Sequence, residues 1–338
     1  MGGRLRAGLV SAAHVHAEAY ATLLLSMPDV ELVGLADVDA ARGRAFAEVH
    51  HIRFLGTLDA LLGERPDAVV VTSENTRHRS DVEASARAGA HVLCEKPLAT
   101  TAADAAAIVD SCRAAGVRLM TAFPMRFSAP VRSVAASLRA GEVGEVRAVA
   151  AVNQGALPAR ERSWFAEAAL SGGGAVMDHT VHVVDLLRWM LDREPVEVWA
   201  TTNRILHAAR AAVETGGLVL VTFEGGAFAS IDCSWSRPDT YPTWGGLGME
   251  IVGTRGVLDL DAFRQRFVVH DSHEAHATWT YWGSDPDRAM LRAFVDAIRA
   301  GEEPPVSGVD GLRAVEVVEA AYRSAASGQP VRLAAVRA

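Results

Sequence analysis

Over its first third the chain alternates short apolar runs with amphipathic stretches. Residues 5–10, 32–36, 68–72, 91–94 and 118–122 read as strands, and residues 17–27, 40–50, 81–88 and 102–115 as the helices between them. Strands that are apolar on both faces and separated by helices predict a parallel sheet covered on both sides, which is a doubly wound α/β domain. After about residue 128 the rhythm changes. Helix 131–139 leads to an extended stretch at 145–155, and a long helix is expected over 174–190. Strand patterns then follow one another without helices, at 196–203, 218–223, 228–235, 249–252 and 266–270, before closing helices at 289–299 and 312–324. Consecutive strands of this kind predict an open, mainly antiparallel sheet. The expected organisation is therefore residues 1–124 as one domain and 125–338 as a second, with a closing helix packing back on the first.

Composition narrows the partners. Half the residues are hydrophobic and 22% charged, which excludes a disordered chain. With 33 basic against 41 acidic residues the net charge is −8, and no Lys/Arg run interrupts it, so neither nucleic acid nor an anionic membrane is an expected partner. Three cysteines, Cys94, Cys112 and Cys233, are too few and too scattered for a disulfide framework and fit a reducing, cytoplasmic setting. Arg4 and Arg6 precede a short apolar run, but His14 and His16 interrupt it, so it reads as a first strand rather than a leader. Among the 33 basic residues Lys96 is the single lysine. A compact ammonium can sit in a pocket and exchange a proton, which guanidinium cannot, so this position invites a chemical reason.

The turn after the first strand reads Ser11-Ala12-Ala13-His14-Val15-His16. In a dinucleotide-binding fold this turn carries G-x-G-x-x-G, whose glycines admit a pyrophosphate at the helix N-terminus. Here Ser11, Ala13 and His16 stand in those places, two of them small enough to leave the turn open. Asp37 ends the second strand, where an acid about 20 residues on binds the adenosine ribose and repels a 2′-phosphate. That position points to NAD, with NADP disfavoured. Asp39 reads as the cap of the next helix.

Glu95-Lys96-Pro97 places the lone lysine at the C-terminal end of a strand, the edge where open parallel sheets bind ligands, and beside an X-Pro bond that can be cis. This tripeptide resembles the signature of the Gfo/Idh/MocA family of sugar and polyol oxidoreductases. The likeness extends along nearly the whole chain. Thr72-Ser73-Glu74-Asn75, with a distal His78, resembles the family's loop near the nicotinamide, although Glu74 replaces the usual proline. Phe123-Pro124-Met125-Arg126-Phe127 resembles its hinge, with Pro124 in a place more often Asn. Gly172-Gly173-Gly174 followed by Asp178-His179-Thr180-Val181-His182 resembles its Gly-rich approach to a helix bearing Asp-x-x-x-His. The family's fold, a Rossmann domain followed by an α/β domain with an open sheet, agrees with the element order.

Asp178 and His182 are four apart and share one helical face, so a carboxylate could orient a histidine general base. No metal is expected, because neither the histidines near Asp178 nor His270, His273 and His276 keep a zinc enzyme's ligand spacing; the second group reads as polar surface or a partner contact. Trp164, Trp235 and Trp244 could stack on sugar CH faces or simply pack.

Together these readings predict an NAD-dependent dehydrogenase or ketoreductase for a secondary alcohol of a sugar, inositol or related polyol. Lys96, Asp178 and His182 would be catalytic, with either Lys96 or His182 as the principal proton acceptor. Ser11, Ala13, His14, Asp37, Thr72, Ser73, Asn75, His78, Glu95, Lys96 and Arg126 would contact the cofactor. Lys96, Arg126, Trp164, His179, His182 and Trp244 would contact substrate. A homodimer or homotetramer is expected by analogy with the family. The alternatives are an NAD-dependent glycosidase of the same family and a redox-silent dinucleotide-binding regulator.

Overall fold

The computed structural model describes residues 3–158, 162–241, 245–271 and 276–334. The chain begins with β1 (Leu5–Val10), α1 (His16–Ser26), β2 (Val30–Ala36), α2 (Ala40–His50), β3 (Phe54–Gly56), α3 (Leu58–Gly63), β4 (Ala68–Val71), α4 (His78–Arg87), β5 (His91–Cys94), α5 (Ala102–Ala115) and β6 (Leu119–Thr121). The six strands form a parallel sheet in the order β3-β2-β1-β4-β5-β6. The order reverses between β1 and β4, which opens a crevice at their carboxyl ends. Side-chain caps start the helices: Asp39 accepts from the Ala41 and Arg42 N–H groups ahead of α2, and Thr101 from Asp104 ahead of α5. The short pair β3 and α3 escapes the apolar pattern, because three residues of strand are too few to show a period.

The second part comprises α6 (Ala129–Arg139), β7 (Val146–Ala156), α7 (Ala168–Ser171), α8 (Ala175–Leu191), β8 (Pro195–Asn203), β9 (Gly216–Phe223), β10 (Phe228–Arg237), β11 (Gly245–Gly253), β12 (Val257–Asp261), β13 (Arg266–Asp271), β14 (His276–Tyr281), α9 (Pro286–Ala300), α10 (Gly308–Ser327) and β15 (Val331–Arg332). A seven-stranded sheet runs β12-β11-β7-β10-β9-β8-β15, antiparallel except where β10 lies parallel to β7. β13 and β14 form a separate antiparallel ribbon. His270 and His276 therefore lie on strands, and His273 lies outside the described residues.

One face of the large sheet packs on α8 and α10, while the other leaves Val152, Leu218, Leu220 and Phe228 exposed. A continuous apolar core runs from Leu9, Tyr20 and Leu93 through Met125 and Val131 to Val184, Val219 and Ile231, so the two sheets share one interior. α10 crosses back to the first sheet: Gly311 lies against Leu98 and Thr121, and Val315 packs in the core of β4 and β5. No helix of the described residues is long and apolar enough to cross a membrane.

Candidate active site

Lys96 follows β5 and is followed by a cis bond to Pro97. It is 2% exposed, and its Nζ donates to Asp178 Oδ1 at 2.7 Å. Asp178 sits in the first turn of α8, whose start is held by one carboxylate: Glu214 accepts from the Gly174 and Val176 N–H groups at 2.9 and 3.1 Å and from the Tyr322 hydroxyl at 2.7 Å. Gly174 has to be glycine, since a Cβ there would lie 1.8 Å from the Glu214 carbonyl oxygen. The Gly-rich approach thus lets a strand-side loop cap the helix that carries the site.

The other oxygen of Asp178 accepts from the indole of buried Trp235 at 3.1 Å and lies 3.5 Å from His179 Nε2. Burial opposes the Asp178 charge, but Lys96 and His179 beside it hold its carboxyl well below the usual carboxylate range. Asp178 therefore anchors Lys96. The expected orientation of His182 by Asp178 is not what forms: among the described residues no hydrogen bond joins them, because Lys96 and Trp235 occupy both oxygens. His182 packs edge-on against Phe123, has no partner for its Nδ1 among the described residues, and lines the same cavity as Lys96. Burial, reinforced by the Lys96 charge, lowers its pKa well below the ordinary histidine value, so it is a neutral imidazole at pH 7. His179 is wholly buried, its pKa lowered by burial, and its carbonyl accepts from Asn153 at 3.1 Å.

Glu95, one residue before the lysine, is the hub of a second buried cluster. It accepts from the Tyr20 hydroxyl at 2.6 Å, contacts His16 Nδ1 at 2.8 Å and receives the Lys96 N–H at 3.0 Å. His16, in the place of the third glycine, also lines the cavity. His14, His16 and Glu95 bring ligand-type atoms within 4.8 Å of one another. The His16 N–H, however, donates to His14 Nδ1 at 3.1 Å, which assigns the His14 hydrogen to Nε2, the atom facing Glu95 at 3.9 Å. The group as it stands is a hydrogen-bonded cluster around a carboxylate.

The crevice between β1 and β4 brings the expected cofactor residues together. Ser11 has φ 71°, the left-handed conformation a glycine would adopt freely. Its hydroxyl accepts the Ala13 N–H at 3.1 Å and lies 3.2 Å from Asp37 Oδ2, which also accepts the Ala12 N–H at 2.7 Å. Thr72 accepts the His14 N–H through its carbonyl and donates its hydroxyl to the Ser11 carbonyl at 2.6 Å. No side chain caps the start of α1, and among the described residues no backbone carbonyl accepts the Val15 N–H, leaving a donor there for a ligand. Small side chains, a free N–H and an acid at the end of β2 suit a dinucleotide at this crevice.

Two residues here were not anticipated from sequence. Arg42, in the first turn of α2, grips Asp37 with Nε and Nη2 at 3.0 and 2.8 Å and Glu74 at 3.0 Å. An arginine five residues after a ribose-type acid was the available signal. Glu74 completes this ion-pair triad.

Other expected contacts fall elsewhere. Asn75 donates to the Ser171 carbonyl at 2.9 Å, and His78 bridges the Pro97 and Ser73 carbonyls at 2.9 and 3.1 Å, bracing the corner at Lys96 rather than facing the cavity. Arg126, expected to reach cofactor or substrate, is instead buried against Asp185 at 2.6 Å and Asp310 at 3.0 Å, because the hinge turns its side chain away from the cavity. Trp164 is not a cavity wall: it stacks on Phe165 at 3.9 Å and donates to the Ala13 carbonyl at 3.0 Å, closing over the first turn. Trp244 lies outside the described residues.

Comparison with known proteins agrees with this layout. A family described as "Oxidoreductase family, NAD-binding Rossmann fold" matches residues 5–123, and the "GFO/IDH/MocA C-terminal domain" matches residues 131–259. The chain is 32% identical to inositol 2-dehydrogenase 1 of Saccharopolyspora erythraea, over 97% of this chain and 96% of that protein. It is likewise 32% identical to D-xylose 1-dehydrogenase (NADP(+)) 2 of Haloferax volcanii, over 90% and 92%. The crystal structure of GenD2 from gentamicin A biosynthesis, in complex with NAD, superposes with a TM-score of 0.89 at 27% identity, covering 98% of this chain and 97% of that one. The parallel sheet with its switch-point crevice, the Glu95-Lys96-Pro97 corner and these full-length matches have one reading: the chain is a member of the Gfo/Idh/MocA family of oxidoreductases and carries its NAD-binding Rossmann domain.

Proposed function

We propose that the protein is an NAD-dependent dehydrogenase or ketoreductase acting on a secondary alcohol of a sugar, inositol or related polyol. The observation that carries this reading is the buried Lys96–Asp178 pair opening onto a cavity of about 630 Å³ shared with His182. NAD, when bound, would take the hydride from the carbinol carbon. Lys96 hydrogen-bonds the substrate oxygen and stabilises the charge that grows on it, with Asp178 and Trp235 fixing the direction of its ammonium. His182, neutral through burial, accepts the hydroxyl proton. The relatives named for inositol and xylose support the substrate class. The exposed apolar face of the large sheet suits pairing with a second copy. Following NAD reduction over a panel of inositols, aldoses and their derivatives tests the assignment, and failure on every member, with NAD bound, would overturn it.

In alcohol oxidation kcat/KM should fall with acid as His182 becomes protonated. Because its pKa is lowered, this limb should lie below the ordinary histidine value of about 6.5. His182→Gln should remove the limb as well as most of the rate. A limb that persists unchanged in the variant moves the base to another residue.

The cofactor preference rests on charge. At the end of β2 the Arg42 guanidinium is held by two carboxylates, Asp37 and Glu74, the second also 3.9 Å from Arg77, so Arg42 is not free to receive a 2′-phosphate and Asp37 would repel one. Calorimetry should therefore show tighter binding of NAD than of NADP. Asp37→Ser combined with Glu74→Pro releases Arg42 and should improve NADP affinity about 10-fold or more, the scale of a charge-assisted hydrogen bond. Equal affinities in the native chain would refute this account.

A further inference from the structure

The reaction cavity is one-sided in charge. Of the cations on its wall, Lys96 is matched by Asp178 at 2.7 Å and His16 by Glu95 at 2.8 Å, while burial keeps His182 neutral. Asp287, in the first turn of α9, lines the same space, and among the described residues no hydrogen bond or ion pair reaches its carboxylate. It is not needed as the helix cap, since Asp285 already accepts the Arg288 N–H at 2.9 Å. Burial raises its pKa, opposed by the His16 charge and abetted by Glu95 and Asp285. An unmatched carboxylate on a partly desolvated wall is costly unless a ligand brings the counter-charge.

A second feature of the same wall points the same way. Trp282 lines the cavity five residues before Asp287 and is 60% exposed, an unusual state for a large aromatic side chain. A carboxylate and a largely exposed indole on the wall of one cavity form a combination that can recognise an ammonium, through a charge-assisted hydrogen bond and a cation–π contact. The remaining polar side chains on the wall, Asn153, Ser128, Gln265 and Ser284, are neutral and suit hydroxyls.

We infer that the substrate carries an ammonium group, as in an amino sugar or aminocyclitol, which sits on Asp287 and Trp282 while the hydroxyl to be oxidised faces Lys96 and His182. This rests on the proposed dehydrogenase reading and names its substrate class. The test uses matched pairs on the NAD-loaded protein: neutral sugars and inositols, each compared with counterparts in which one hydroxyl is replaced by an amine. At least one aminated member should be preferred about 10-fold or more in kcat/KM. Asp287→Asn should bring that ratio to near one or below, Asp287→Glu should restore part of it, and Trp282→Ala should lower it less. The ratio within one variant is insensitive to a general loss of folded enzyme. Preference for the neutral member of every pair, or a ratio that Asp287→Asn leaves intact, overturns the inference. If no compound of either kind is oxidised, the dehydrogenase reading fails. Calorimetric binding of the same pairs then decides the inference alone: amine binding that depends on Asp287 sustains it, and binding indifferent to the amine or to Asp287 overturns it.

Discussion

Lys96→Arg should lower turnover by about 10²-fold or more while leaving NAD affinity little changed. The side chain is wholly enclosed and its Nζ lies 2.7 Å from Asp178. Arginine keeps the charge that Asp178 requires, so the variant retains the buried ion pair. It replaces a compact donor with a larger planar group that does not deprotonate, and so cannot approach the substrate oxygen in the same way. Steady-state kinetics on an identified substrate, with calorimetry for NAD, separates the two effects. Near-native turnover would remove Lys96 from the chemistry. Lys96→Met is the harsher change, because it strands the Asp178 carboxylate in the interior, and its losses would mix folding with catalysis.

Arg126→Ala should cost stability rather than cofactor affinity. The buried guanidinium is bidentate on buried Asp185, at 2.6 and 2.9 Å, and also pairs with the half-buried Asp310. Burial pushes the Asp185 carboxyl up to about 6 even against Arg126, so the cation is what makes its charge tolerable. Removing it leaves a buried, uncompensated carboxylate, a change worth about 3–5 kcal/mol. Thermal unfolding should therefore occur roughly 10 °C lower. Adding Asp185→Leu to the alanine variant should recover part of the loss, since no orphan charge then remains. A singly substituted protein of native stability that fails to bind NAD would reverse the assignment.

The parallel sheet was legible because its strands are apolar on both faces, a pattern that few other arrangements produce. Strands β8 to β11 were legible from their alternation, whereas β12 and β15 are short edges with little to alternate. At the site, Lys96 stood out by composition and its corner by resemblance. What sequence could not show was pairing across long separations. Asp178 and His182 share a helical face, yet the carboxylate turns to Lys96, 82 residues earlier, and to Trp235, 57 residues later. Arg126 likewise sits in a motif near the cavity while its partner lies 59 residues on. Helical spacing says which side chains could meet; the competing partner from another element decides which do.

Ser11 holds a left-handed backbone that costs a non-glycine residue about 1–2 kcal/mol, and its hydroxyl ties that conformation to Asp37 and to the Ala13 amide. A glycine turn is supple and is stiffened by the ligand it receives, at an entropic cost charged to the association. Here the stiffening is built into the unliganded chain by one side chain, so a nucleotide arriving at this crevice meets a preorganised surface and loses less freedom in settling there.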